Sequence, residues 1–247
     1  MPVIFGINPL LEALKAKEAL EKIYILSGQH RPVFGKIQKM ARELNIPTVQ
    51  ADRKKLDQIS GGKTHQGVVA LLTVVSYISL ENLVDRVQKA GQDPNFIIAD
   101  RITDPQNFGA IIRSSEVLGI QGVIFSQRDS TPVTEQVVKA SAGAVFHLDI
   151  CKVANLANAV EYLQKCGIWI YASSSHSEKT IWEMDFTRPQ AIIIGSEGRG
   201  IRPLLLKKSD EVFRIPQQGK TESLNVSVAA GIIMTEIMKQ RISPRLK

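Results

Sequence analysis

Residues 96–119 read FIIADRITDPQNFGAIIRSSEVLG, an apolar run followed by a polar loop and a segment with helical spacing. The hydrophobicity of FIIAD is continuous rather than alternating, which is typical of a strand buried on both faces of a sheet. Asp104, Pro105 and Asn107 form the polar loop, and Arg113 lies two turns into the predicted helix. The stretch therefore predicts a buried strand whose carboxyl end presents polar side chains.

Four further runs of the same character follow along the chain. They are GVIFS (122–126), WIYAS (169–173), AIIIG (191–195) and EVFRI (211–215). Helical patterns accompany them at FGAIIRSSEVLG, VTEQVVKASAG, ANLANAVEYLQKCG and VSVAAGIIMTEIMKQ. This alternation predicts an α/β domain in which helices flank a parallel sheet.

The first part of the chain alternates helical and strand patterns over a shorter span, which predicts a second, compact α/β structure. The helix-forming segment ENLVDRVQKA follows, and GQDPN then breaks the chain with Gly, Pro and Asn. We therefore predict a first domain at residues 1–75, a linker or connecting helix at 76–92, and a larger domain at 93–247.

The formal charge of the chain is +7, and most of it lies in the first predicted domain. Residues 1–75 contain 11 Lys or Arg against 6 Asp or Glu. A small, locally basic module suits a partner with a phosphate backbone. Lysines on solvated helix faces give the same composition, so charge alone leaves both interpretations open.

Composition excludes several classes of protein. The chain is 44% hydrophobic and 22% charged, as expected of a globular rather than a disordered protein. No apolar stretch reaches the length of a membrane span, and the opening residues lack the pattern of a secretory signal. Cys151 and Cys166 form no CxxC pair, so neither a zinc site nor a disulfide framework is indicated. We expect a reduced, cytoplasmic protein with no membrane partner.

Motifs for common cofactors and nucleophiles are incomplete or missing. GGKT at residues 61–64 ends like a phosphate-binding P-loop, but Asp57 stands where the first glycine is needed and a strand pattern follows. GSEGRG at residues 195–200 lacks GxGxxG spacing, and no GxSxG elbow occurs. The histidines have no ligand spacing; they are His30, His65, His147 and His176. We therefore expect neither a metal nor a catalytic triad.

Polar, glycine-containing loops follow three of the predicted strands, FIIAD, AIIIG and EVFRI. Taken singly, each polar residue has an ordinary interpretation as a helix cap, a surface ion-pair partner or a solvated carboxylate. These residues are Asn107, Arg113 (beside Glu116), Glu197, Ser223 and Asn225. Because ligands bind outside the carboxyl ends of strands in open parallel sheets, their joint occurrence predicts one shared pocket.

Three of these stretches resemble, in order, the signature motifs of the SpoU (TrmH-like) branch of the SPOUT RNA methyltransferases. They are NFGAIIRSSEVLG, IIIGSEGRGI and SLNVSVAAG, and the resemblance covers about residues 93–242. FGINPLLEAL and THQGVVA look like the accessory substrate-binding domain of many members. The combination most resembles bacterial enzymes that methylate a ribose 2′-hydroxyl of a guanosine in 23S ribosomal RNA.

The resemblance implies a fold, a methyl donor and an assembly. It implies a small L30e-like α/β domain followed by a SPOUT parallel-sheet domain with a deep C-terminal trefoil knot. S-adenosylmethionine would be the methyl donor, without a metal, and Gly195, Ile215 and Leu224 would line its site. Related enzymes are homodimers in which the residue at the Arg113 position is donated across the interface.

Roles for the polar residues also follow from the resemblance. In the family the residue at the Arg113 position is assigned to removal of the hydroxyl proton, with an RNA phosphate as a relay, but a guanidinium does not act as a base. We therefore expect Arg113 to clamp the RNA phosphate and the hydroxyl, stabilising developing alkoxide charge. Asn107 would fix Arg113 and the substrate loop, and Glu197 would orient groups around the ribose. Ser223 and Asn225 would hydrogen-bond in the donor and ribose pocket, so SLN would serve both as a helix cap and as a wall of the site.

Two other functions remain open. One is a transfer RNA 2′-O-methyltransferase of the same fold, and the other is a non-catalytic RNA-binding or ribosome-assembly protein. The substrate could be ribosomal RNA itself or a ribosome-assembly intermediate.

Overall fold

The computed structural model describes residues 3–28, 31–72, 75–126, 128–219 and 223–242. The chain forms two compact units, Met1–Ser76 and Tyr77–Lys247. His30 lies outside the described residues. Within the described ranges, no helix combines the length and apolarity needed to cross a membrane.

Within its described residues, the first unit consists of a four-stranded sheet and three helices. Its elements are β1 (Val3–Phe5), α1 (Ile7–Lys15), β2 (Leu20–Leu26), α2 (Pro32–Glu43), β3 (Thr48–Ala51), α3 (Arg53–Ser60) and β4 (Val68–Leu72). The strand order is β1–β4–β2–β3, and only β4 runs antiparallel to its neighbours. Apolar side chains of α1 and α2, among them Leu10 and Ile37, pack with Ile23 of β2 to form the core.

The second unit contains six strands and six α-helices within its described part. They are α4 (Leu80–Lys89), β5 (Asn95–Asp100), α5 (Pro105–Val117), β6 (Gly122–Ser126), α6 (Glu135–Ala140), β7 (Asp149–Val153), α7 (Leu156–Lys165), β8 (Trp169–Ser173), β9 (Gln190–Gly195), α8 (Pro203–Lys208), β10 (Glu211–Phe213) and α9 (Val226–Ile242). All strand pairs are parallel, in the order β10–β8–β9–β5–β6–β7. The predicted parallel α/β architecture is confirmed.

The sheet's centre explains the continuous hydrophobicity of its strands. Every residue of β5 is buried, because β5 pairs with β9 on one side and β6 on the other and carries helices on both faces. Three elements were not predicted: β1, β7 and α8 are short, and β7 (DICKV) interrupts its apolar residues with two charges. The trefoil knot and the division of function between the predicted domains stay predictions.

Helices α5 and α9 lie side by side on one face of the second unit. Their first turns are joined by a hydrogen bond between Asn107 and Asn225, and Ser115 Oγ contacts Met234 Sδ at 3.4 Å further along. Helix α9 is buried on one side only, since Val228 and Ile232 are 51% and 40% exposed. The two helices therefore share a partly apolar outer surface.

Candidate active site

A cavity of about 720 Å³ opens at the carboxyl edge of the second sheet. It is formed by the loops that follow β8, β9 and β10, together with the first turn of α9. Five of the eight residues predicted from sequence line it: Gly195, Glu197, Ile215, Ser223 and Leu224. Asn107, Arg113 and Asn225 lie outside its lining.

One wall of this cavity was not predicted. Residues 173–176 (Ser-Ser-Ser-His), which follow β8, line it between the loops that follow β9 and β10. The available signal was a polar run directly after an apolar strand, at the same edge as the three loops that were identified. The lining thus combines hydroxyl groups with apolar side chains such as Ile201 and Leu206.

The loop after β9 is tightly folded on itself. A Cβ on Gly195 would lie 2.3 Å from the carbonyl carbon of Gly200 and 2.4 Å from the nitrogen of Ile201. Ser196 and Gly200 form a β-bridge, and the Gly200 N–H donates to the Ser196 carbonyl at 2.9 Å. Gly195 is therefore required because backbone passes against backbone within the loop.

Charged side chains fasten this loop to the neighbouring strands. Asp100, the fully buried last residue of β5, accepts from the Arg202 N–H at 2.8 Å and is ion-paired with the Arg202 guanidinium at 2.7 Å. Arg202 also donates to Asp129, after β6, at 2.9 Å. Arg101, whose φ is 58°, donates to the Gly200 carbonyl at 3.3 Å. The loop that carries Glu197 is thus anchored to two strand ends.

Three of the predicted residues meet at the mouth of the cavity. Glu197 Oε1 accepts from Asn107 Nδ2 at 3.2 Å, from Asn225 Nδ2 at 2.5 Å and from the Val226 N–H at 3.2 Å. Asn225 Nδ2 also donates to Asn107 Oδ1 at 2.9 Å. These bonds fix one carboxylate oxygen of Glu197 and engage both protons of the Asn225 amide. Residues that are 28 to 118 positions apart along the chain thus form one polar cluster.

Asn225 has a second contact that explains its place at the start of α9. Its Oδ1 accepts from the Ser227 N–H at 2.9 Å and from the Val228 N–H at 3.3 Å. These are the orphan donors that an N-cap residue satisfies. The cap leaves the amide protons of Asn225 directed at Glu197, so one side chain both starts the helix and holds the carboxylate.

Arg113 is separate from this cluster. It is exposed, and within the described ranges no hydrogen bond or ion pair holds its side chain, including one to Glu116 or Asn107. Six residues on a helix separate it from Asn107 by about 9 Å along the axis and roughly 120° around it. The expected link between Asn107 and Arg113 therefore does not exist within one chain.

The outer surface shared by α5 and α9 is partly apolar. Val117 on α5 is 69% exposed, and Val228 and Ile232 are the exposed apolar residues of α9 mentioned above. Because α5 and α9 pack against each other, these side chains belong to neighbouring helices, and exposed apolar patches commonly mark contact surfaces. Arg113 belongs to the same exposed side of α5 as Val117, four residues later.

Taken as chemistry, the site offers a cavity of small-molecule size with a fixed carboxylate at its mouth. Within the described residues, no group of three or more His, Cys, Asp or Glu is arranged to hold a metal ion. The arrangement suits binding and orientation of two partners, one in the cavity and one at its mouth, since proximity itself lowers the barrier of a bimolecular step.

The two parts of the chain match two family models that both concern RNA methylation. Residues 94–235 match the model of the SpoU rRNA Methylase family. Residues 3–77 match a model described as RNA 2′-O ribose methyltransferase substrate binding.

Individual relatives cover nearly the whole chain. A tRNA/rRNA methyltransferase of Synechocystis sp., slr0955, named as uncharacterized, is 36% identical over 98% of this chain and 63% of its own length. The 23S rRNA (guanosine-2′-O-)-methyltransferase RlmB of Pseudomonas aeruginosa is 32% identical over 96% of both chains. The solved structure of AviRb from Streptomyces viridochromogenes, a SpoU methyltransferase in complex with the cofactor AdoMet, has a TM-score of 0.62 at 23% identity, covering 98% of this chain and 90% of that one.

Proposed function

Because this chain belongs to the SpoU rRNA methylase family, we propose that it transfers a methyl group from S-adenosylmethionine to the ribose 2′-hydroxyl of a guanosine in 23S ribosomal RNA. The more general statement, that the chain is an RNA 2′-O-methyltransferase, follows from the family and from the match to its substrate-binding module. The observation that carries the assignment of the site is the cluster of Asn107, Glu197 and Asn225 at the mouth of the cavity.

The cavity fits S-adenosylmethionine in size and in chemistry. Its volume lies within the range of pockets that enclose molecules of this size. Apolar residues, among them Ile215 and Leu224, can cover an adenine ring, while Ser223 and the serines after β8 offer hydrogen bonds to its polar groups. The donor supplies a methyl group on a sulfonium, an activated leaving group that needs no metal.

Glu197 is the residue of this chain best placed to orient the acceptor ribose. Its Oε1 is held by three donors, whereas no hydrogen bond to Oε2 is made within the described ranges. We assign Oε2 to accept a hydrogen bond from the ribose. Asn107 and Asn225 hold this carboxylate, so they act by positioning it.

Arg113 acts on the partner protomer's site in a homodimer. Its distance from Asn107, the absence of partners in the described part of the chain, and its place beside exposed Val117 all favour donation across the α5–α9 surface. There the guanidinium clamps an RNA phosphate and stabilises the developing charge on the attacking oxygen. The apolar side chains Val228 and Ile232 supply the contact between protomers.

The choice of 23S ribosomal RNA rests on the relatives named RlmB, which align over almost the full length of this chain. Other relatives have names that leave transfer and ribosomal RNA open, so the transfer RNA enzyme is the second candidate. An assembly intermediate as the substrate is part of the same proposal, since a nascent particle presents the same ribose.

Methyl transfer from tritiated S-adenosylmethionine to purified 23S ribosomal RNA and to bulk transfer RNA tests the proposal. We expect label in the 23S fraction, and alkaline hydrolysis should leave one protected dinucleotide that contains a 2′-O-methylguanosine. Label in transfer RNA alone would favour the second candidate. Tight binding of RNA without label in either would favour a non-catalytic protein.

A further inference from the structure

The strands of the first unit bring four chain connections to one edge of the sheet. Strands β1, β2 and β3 run parallel and end at this edge, and β4 begins there. We call it the loop edge and define it by its basic residues, which are Arg31 and Lys63 in the connections and Arg53, Lys54 and Lys55 in the first turn of α3. All five are exposed.

Lys63 belongs to the loop edge because its Nζ lies 5.3 Å from the ring centroid of Phe5, the last residue of β1. At the other side of the sheet, Arg53, Lys54 and Lys55 follow β3 directly. Four neighbouring strands span about 14 Å between these positions. The charges are therefore spread along the edge rather than gathered at one point.

The acidic residues of the loop edge are already engaged. Asp52 caps α3 by accepting from the Lys55 N–H at 2.8 Å, and Asp57 binds the ring of His65 at 3.0 Å. The nearest cation to Asp57, Arg53, stands 4.0 Å away and its side chain is 82% exposed. The two carboxylates keep their charge, so the loop edge has a net charge of +3, from five basic and two acidic residues.

The opposite edge of the same sheet has a balanced charge. Its basic residues are Lys15, Lys17, Lys22 and Arg42, and its acidic residues are Glu12, Glu18, Glu21 and Glu43. Lys15 is ion-paired with Glu12 at 2.7 Å. The positive charge of the first unit is thus concentrated at the loop edge. Basic residues that served only to solvate the surface would not need to be concentrated there.

We propose that the loop edge is the surface of this protein that binds the sugar–phosphate backbone of its RNA substrate. The inference rests on the proposed function and adds the location of substrate capture. The guanidinium of Arg31 lies 5.8 Å from the ring centroid of Phe34, as the ammonium of Lys63 lies over Phe5, and both residues remain exposed. Contacts of this kind supply affinity without reading bases.

The test compares two triple variants of the full chain that carry the same change in charge. One is Lys54→Gln, Lys55→Gln and Lys63→Gln at the loop edge. The control is Lys15→Gln, Lys17→Gln and Lys22→Gln at the opposite edge. The measurements are binding of in vitro transcribed 23S ribosomal RNA over a salt series, heat of S-adenosylmethionine binding, and the melting temperature.

We expect the loop-edge variant to bind RNA at least ~10-fold more weakly at low salt, and its log–log salt slope to fall by roughly two to three. The control should keep both the affinity and the slope, and donor binding should be unchanged in both variants. Equal losses in the two variants, or no loss in the first, would overturn the location.

The outcomes separate this inference from the proposed function. If the unmodified protein methylates RNA while the loop-edge variant binds it normally, only the surface is wrong. If the unmodified protein transfers no methyl group but its RNA binding depends on the loop edge, the enzyme assignment fails and the surface stands. Retained RNA binding together with lost binding of an acidic ribosomal protein would assign the edge to a protein partner instead and overturn the inference.

Discussion

The side chain of Asn225 divides its hydrogen bonds between helix α9 and the carboxylate of Glu197. Its oxygen accepts from backbone N–H groups of the first turn, and its amide nitrogen donates to Glu197 and Asn107. Because oxygen and nitrogen have separate partners, substitutions can remove one set of bonds and keep the other. The structural and catalytic contributions of this residue can therefore be measured apart.

We predict that Asn225→Ser lowers methyl transfer at least ~10-fold with little loss of stability, whereas Asn225→Ala lowers both. A serine hydroxyl can still cap α9 but cannot hold Glu197 and Asn107 together, while alanine also loses the cap, at a cost of about 1 kcal/mol. Initial rates and urea unfolding of the two variants check this. Equal activities in the two variants, both close to that of the unmodified chain, would contradict the role of the amide.

The sequence was sufficient to identify the polar residues of the site, but not the contacts between them. Asn107, Glu197 and Asn225 were identified because each follows a predicted strand, and the structure brings their side chains within hydrogen-bonding distance. Asp100 and Arg202 were missed. A buried carboxylate at a strand end looks like any other loop residue until its partner, 102 positions away, is known.

At the scale of elements, the fold of the loop after β9 requires glycine at position 195, because the loop leaves no space for a side chain there. Gly195→Ala places a Cβ against the backbone of Gly200 and Ile201. We predict a loss of 1–3 kcal/mol of stability, roughly the cost of overpacking, together with loss of donor binding because this loop lines the cavity. Calorimetric titration and thermal melting check both effects.

Gly35→Ala is the matched control, since Gly35 lies inside α2 with open space around its Cβ position. There the same substitution should stabilise the protein by up to about 1 kcal/mol, because alanine is the better helix former. Its donor binding should be unchanged. Intact donor binding by the Gly195 variant would show that the loop can rearrange at no functional cost, which contradicts the prediction.

The same loop depends on Arg202, whose guanidinium reaches both Asp100 and Asp129. Lysine offers one ammonium in place of this fork, so we predict that Arg202→Lys raises the KM for S-adenosylmethionine about 10-fold and changes kcat less. Steady-state kinetics with saturating RNA measure the split. A fall in kcat with constant KM would place Arg202 in the chemistry rather than in positioning the loop.

Arg86→Lys supplies the comparison. Arg86 is ion-paired with Asp149 at 2.6 Å, but Asp149 begins β7 and so lies at the edge of the sheet remote from the cavity. The substitution is the same, and it replaces the guanidinium of another ion pair between residues distant in sequence with an ammonium. It should leave both kinetic constants unchanged, so an equal effect of the two variants would point to general loss of stability.

For the whole molecule, hydrophobic periodicity was sufficient to predict the sheet class and most helices. The continuous apolar runs of β5, β6, β8 and β9 reflect burial on both faces, a local signal. Strand order is not local: β9 inserts between β5 and β8, although its residues lie 95 positions from their partners in β5. The path by which the chain reaches this order, including any knot, cannot be inferred from periodicity.

The proposed dimer can be tested directly, because each of its active sites contains Glu197 of one protomer and Arg113 of the other. Arg113→Ala and Glu197→Gln should each abolish transfer, with donor binding retained in the Arg113 variant. Mixed and reassembled, they form heterodimers in which one site receives both intact residues. Random exchange in a twofold dimer then restores about a quarter of the unmodified activity.

If Arg113 acted within its own chain, every site would carry one defect and mixing would restore none. A monomeric mass in solution at working concentrations would exclude the shared site outright.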